Sequence, residues 1–111
     1  MLVGTRVLQL TTDTGVVEVP VRIFQPVEDG SAWGCRYEIA WPGGARQSAA
    51  WGADALQALH LAMQKIASEL YASDHHRDGR LTWPGQGAGY GFPMPKSGRD
   101  LLVGYDKEFE G

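Results

Sequence analysis

The chain has 111 residues, the length of one small domain. Apolar residues make up 43% of it and charged residues 21%, ordinary proportions for a globular domain. A net charge of −3 argues against a nucleic-acid-binding surface, and one cysteine leaves no disulfide framework and no Cys-based zinc site. No run approaches 18 apolar residues, so no membrane span is expected. Residues 1–10 lack the apolar core and small-residue cleavage pattern of a secretory signal. These features predict a cytoplasmic domain.

Residues 5–51 alternate in the period-2 manner of half-buried strands. A first strand is expected from about Arg6 to Thr12. In the second, Val17, Val19, Val21 and Ile23 share one face, with Glu18, Pro20, Arg22 and Phe24 on the other. Pro20 has no N–H to give a ladder and predicts an irregular or partly unpaired edge there. The third strand places Trp33, Cys35, Tyr37, Ile39 and Trp41 together against Arg36 and Glu38. A fourth is expected over Arg46–Trp51. Turn residues separate the strands at Asp13-Thr14-Gly15, Glu28-Asp29-Gly30-Ser31 and Pro42-Gly43-Gly44. Such short connections predict antiparallel neighbours, hence a four-stranded β-meander.

A long helix is expected over residues 55–72. Leu56, Leu59, Met63, Ile66 and Leu70 recur at helical spacing and define its apolar stripe. Asp54, three residues before Gln57, has the spacing of a capping box. Beyond about residue 79 the chain is rich in glycine and proline and reads as loop, with a possible short strand at Leu81–Trp83 and a further short element at residues 101–103. Strands first and helix last make an α+β fold of one domain, the helix covering one face of the sheet.

Asp74, His75, His76 and Asp78 are the one concentration of metal-ligand side chains. Adjacent histidines on a helix point about 100° apart, whereas helical metal pairs are i, i+4, so the run reads as a solvated C-terminal turn. The alternating Gly85, Gly87, Gly89 and Gly91 miss the dinucleotide spacing, because Tyr90 and Phe92 stand where its third glycine would be. No catalytic residue and no cofactor motif emerges. Cys35 is expected in the core, His60 as a partly buried flank residue, and the four tryptophans mainly as core. Leu61 falls opposite the apolar stripe, among Gln57, Gln64, Lys65 and Ser68, and is the candidate interface residue for a homodimer. The outward face of the meander, carrying Pro20 and Phe24, is an alternative contact surface.

The words Trp51-Gly52-x-Asp54-x-x-Gln57-Ala58-Leu59 and Gly91-Phe92-Pro93 resemble a family of small uncharacterised bacterial proteins, with the similarity running from about Trp33 to Pro93. That resemblance implies a bacterial cytoplasmic domain and carries no functional residue. The helix start at Gly52, Asp54, Ala58 and Leu59 also resembles HicB-type antitoxin domains, although their Asp-x-Pro-Gly-Cys word is missing here. The expected function is a non-enzymatic module binding a protein partner or itself. The alternatives are a small-molecule-binding domain, or a metal-assisted hydrolase using Asp74, His75, His76 and Asp78.

Overall fold

The computed structural model describes residues 1–94; the element expected at residues 101–103 lies outside them. The elements in chain order are strands β1 (Leu2–Thr12), β2 (Gly15–Phe24), β3 (Val27–Asp29), β4 (Ala32–Ile39) and β5 (Arg46–Gly52). Helices α1 (Ala55–Ala72) and α2 (Asp74–Arg77) follow, then strand β6 (Leu81–Thr82). The α+β class is as expected, but among the described residues the sheet has six strands, where the turn spacing predicts a meander of four. β1, β2, β4 and β5 pair antiparallel in succession. Of the two additional strands, β3 comes from a segment read as turn, and β6 falls on the possible short strand expected at Leu81–Trp83. β3 grows out of the Glu28–Ser31 turn region and pairs Val27 with Gly34. β6 pairs Leu81 and Thr82 with Leu10 and Gln9 on the far side of β1. Gly34 faces both Val27 and Trp51, so β3 and β5 lie on opposite edges of β4.

Pro20 behaves as its chemistry requires. β2 pairs with β4 only through Val21–Ile23, and the Pro20 carbonyl takes one further bond from Ala40 N–H at 2.9 Å. The imide nitrogen therefore sits where the ladder ends and no donor is needed.

Alternation sorts the strands into two faces. Leu8, Leu10, Val19, Val21, Cys35, Tyr37 and Ile39 are buried on the face that carries α1. The helix meets it through Ala58, Ala62, Ile66 and Leu70, all without exposed surface. The stripe is thus rotated from the expected one: Leu56 is 77% exposed, and Leu59 and Met63 only flank the core. Two alanines at the centre of contact let the helix axis approach β4 and β5 more closely than leucines would allow.

The entry to α1 follows from two reciprocal hydrogen bonds. Asp54 Oδ1 accepts from Gln57 N–H at 2.8 Å, and Gln57 Oε1 accepts from Ala53 N–H at 2.6 Å. This is the expected capping box, with the amide reaching one residue further back. Asp54→Ala is expected to cost about 0.5–2 kcal/mol of stability in urea or thermal unfolding. An unchanged midpoint would refute the capping role.

The segment after β6 is not loose. Tyr90, Phe92 and Met94 are core residues, and Arg6 lies between the Trp83 and Phe92 rings, 4.0 and 4.6 Å from their centroids. Arg6 also donates to the Tyr90 carbonyl at 3.1 Å. Gly91 has φ +78°, and a Cβ there would stand 2.3 Å from Trp83 Cζ3. Glycine is therefore required both by the backbone angle and by the packed indole.

Candidate functional site at the free edge of the sheet

Among the described residues, β5 has a strand neighbour on one side only, β4. Its open edge can be read from two contacts. Ala40 N–H bonds to β2, so by alternation the even-numbered backbone groups of β4 face β2 and β3, and the odd-numbered ones face β5. Arg46, Ser48 and Ala50 stand opposite Ile39, Tyr37 and Cys35 and turn inward to β4. Gln47, Ala49 and Trp51 then present N–H and C=O groups to the outside. The Ala49 carbonyl agrees, because it accepts a 2.7 Å hydrogen bond from Lys65 Nζ on α1.

Side chains on both flanks of this edge form shallow troughs. On the helix side, Leu61, Gln64, Lys65 and Ser68 line about 330 Å³ with Ala49, Ala50 and Trp51. On the outward face, Val27, Gly34, Arg36, Ala49 and Trp51 line about 320 Å³ with Gln25, Glu28 and Asp29. Trp51 borders both troughs and is 55% exposed. Its indole lies over Gly34, where a Cβ would stand only 2.7 Å from Cζ3. The ring is therefore held flat against backbone.

The charges around the edge are unevenly matched. Arg22 binds Glu38 at 2.8 Å, and Gln47 donates to the other Glu38 oxygen at 2.9 Å. The Gln47 and Arg22 hydrogen bonds hold the Glu38 carboxyl below the usual carboxylate range. Glu69 accepts from Arg46 at 2.9 Å and from the Tyr37 hydroxyl. Burial, then the Glu69 hydrogen bond, push the Tyr37 hydroxyl up to about 12. Arg36 and Lys65 have no carboxylate partner among the described residues. Arg36 lies over the Phe24 ring, 5.3 Å from its centroid, and Lys65 donates to Ser48 Oγ and the Ala49 carbonyl with the Tyr37 ring centroid 5.9 Å away.

The Asp74–Asp78 run is dispersed among separate partners. Asp74 pairs with Arg77, His75 stacks on Trp41, and Asp78 closes α2 through its backbone. His76 Nδ1 lies 2.6 Å from the Tyr90 hydroxyl, with its ring edge-on to Tyr71. Burial lowers the His76 pKa, as expected of an imidazole among aromatic rings. No group of three metal-ligand side chains converges among the described residues. Cys35 is in the core, and burial pushes its thiol up. His60 is exposed and bonds Gln64 at 3.1 Å, where partial burial was expected. Of the four tryptophans none is fully buried, and Trp51 is the outward one.

Leu61 is half-buried beside β5 rather than out on the back of the helix, because rotation of the buried stripe turns it toward the edge strand. The structure therefore brings Leu61 together with Trp51. Trp51, expected in the core, stands opposite Gly34 and shares the outward face with Arg36. Arg36 and Lys65 were not singled out.

The family model for a domain of unknown function, DUF6968, matches residues 4–94. The chain belongs to this family. The match takes in β1 from Gly4 onward, every other described strand and both helices, and includes the Trp51-Gly52-x-Asp54 and Gly91-Phe92-Pro93 words. Both words have structural reasons in the DUF6968 fold, namely indole packing, a tight strand-to-helix junction, a cap and a left-handed glycine. Nothing in the match connects the chain with HicB-type antitoxins. No curated protein and no solved structure matches the chain. Among the described residues, no helix is long and apolar enough to cross a membrane.

Proposed function

We propose that this DUF6968 domain is a non-enzymatic protein-interaction module, one domain of a cytoplasmic protein, whose contact surface is the open edge of β5. One observation carries the reading: a 55%-exposed Trp51 sits on an edge strand whose outward N–H and C=O groups have no strand partner among the described residues. Long, unprotected strand edges are a liability that proteins usually blunt, and a tryptophan is costly to leave in water without use. Tryptophan is also enriched among the residues that dominate binding energy at interfaces. A small-molecule reading is less well supported, because the groove beside Phe92 is about 210 Å³ and the two open troughs flanking β5, about 320 and 330 Å³, stand only at the lower end of the range of drug-sized sites.

A photo-crosslinking side chain placed at Gln47 and expressed in the native cells tests the proposal. It is expected to give a discrete crosslinked protein species, while the same group at Glu18, on the outward face of β2, gives none. Equal labelling from both positions, or none from Gln47, would refute the β5 edge as the contact surface.

A further inference from the structure

The occupant of the edge follows from what surrounds it, on the reading of the domain as an interaction module. We propose that β5 takes up an extended acidic segment of a partner protein as an added β-strand. The backbone groups of Gln47, Ala49 and Trp51 supply the ladder, the Ala49 carbonyl through the lone pair that Lys65 leaves open, and an incoming strand alternates its side chains between the two troughs.

Two cations set the chemistry. Arg36 stands opposite Ala49 on the outward face, and Lys65 reaches Ala49 from the helix side. The carboxylates nearest them on β4 and α1, Glu38 and Glu69, are already bound by Arg22, Gln47, Arg46 and Tyr37. An ammonium has three donors, and Lys65 uses two of them on Ser48 and Ala49. Acidic side chains at the level of Ala49 would thus meet an open cation on either face. One register step along, Trp51 on the outward face and Leu61 on the helix side call for apolar side chains. Glu28 and Asp29 lie beyond Val27, which is itself level with Gly34 and Trp51, so they stand past that apolar step.

A second copy of the chain is the poorer occupant. A two-fold axis through Ala49 would gather both copies of Lys65 and Arg36 along one seam with no free carboxylate from Glu38 or Glu69 to offset them, an unfavourable concentration of like charge.

The test uses two fluorescein-labelled octapeptides, one repeating Val-Val-Glu-Glu and one repeating Val-Val-Lys-Lys so that each face carries both an apolar and a charged side chain, titrated at low ionic strength against the full chain. The glutamate peptide is expected to bind about tenfold or more tightly, with the gap narrowing at high salt. It is also expected to slow hydrogen exchange at Gln47, Ala49 and Trp51. The double variant Arg36→Glu, Lys65→Glu should reverse the preference. Ala49→Pro should abolish binding yet stay folded, since the lost N–H faces outward from the β4 ladder. Hydrogen-exchange protection of Gln47, Ala49 and Trp51 by the glutamate peptide keeps the test independent of both variants. Equal affinities for the two peptides, or protection confined to another edge such as Gly15–Val19, would overturn the proposal. A dimer in light scattering that Leu61→Glu dissociates would overturn it in favour of a second copy. If crosslinking at Gln47 succeeds while the peptides show no charge preference, the acidic partner is wrong and the interaction reading stands. If both fail, the reading falls with it.

Discussion

Ile66→Ala is expected to destabilise the domain by about 2–5 kcal/mol, whereas Leu56→Ala should stay within about 0.5 kcal/mol of the parent. By hydrophobicity and spacing the two residues are equivalent members of one helical stripe. They differ in burial: Ile66 has no exposed surface between the helix and the sheet, and Leu56 is 77% exposed in the first turn of α1. Truncating Ile66 removes apolar surface from the core and leaves a cavity that neighbours such as Val21 and Met63 cannot close without moving. Truncating Leu56 exposes nothing new. Urea unfolding of both variants, with the slope checked for two-state behaviour, measures the contrast. Similar costs at the two positions would mean that the buried stripe is the one read from the sequence and that the helix is rotated from its described orientation.

That contrast also shows how far the sequence could be read. Helix existence and both its ends followed from local signals, namely the Asp54–Gln57 spacing and the run of apolar residues before Ser73. Its rotation did not. Periodicity weighs leucine above alanine, but Ala58 and Ala62 occupy the line of closest approach because the helix needs small residues there. The strand faces were legible for the same reason as the helix ends: alternation is a property of each strand by itself. β3 was not legible and β6 only as a possible short strand, since three- and two-residue strands form only because β4 and β1 are already in place to pair with them. The same holds for Tyr90, Phe92 and Met94. Glycine-rich spacing reads as loop, and only the Trp83–Arg6–Phe92 stack makes that loop part of the core.

For the candidate site, one residue was visible in advance and the rest were not. Leu61 stood out as an apolar side chain on a polar face. Its neighbours across the sheet edge, Trp51 and Lys65, become a site only once β5 is known to be an edge strand, and strand order is a tertiary property. The metal-ligand run shows the converse. Asp74, His75, His76 and Asp78 are adjacent in sequence, yet α2 sends each to a different partner.

The junction between β5 and α1 is where fold and site depend on the same atom, and Gly52→Ala is the substitution that tests it. A Cβ on Gly52 would stand 2.6 Å from Ala58 N and 2.9 Å from the Gln57 carbonyl carbon. Both are backbone atoms of a capped helix, so nothing flexible can yield, and either the strand end or the first turn must shift. Overpacking of this kind costs about 1–3 kcal/mol, which for a domain of this size lowers the melting temperature by about 4–8 °C per kcal/mol. Gly43→Ala is the matched control, because a Cβ there meets nothing within 4 Å. The shift has a second consequence, since Trp51 precedes Gly52 and Leu61 lies on the helix that Gly52 supports. Pushing α1 away from β5 widens the trough between those two side chains. Gly52→Ala should therefore lose crosslinking from Gln47 even at temperatures where circular dichroism shows the domain still folded. A variant as stable as Gly43→Ala would show that the strand-to-helix junction has room that the described contacts deny it. A destabilised variant that keeps full crosslinking would separate the junction from the edge, leaving Gly52 a purely architectural residue.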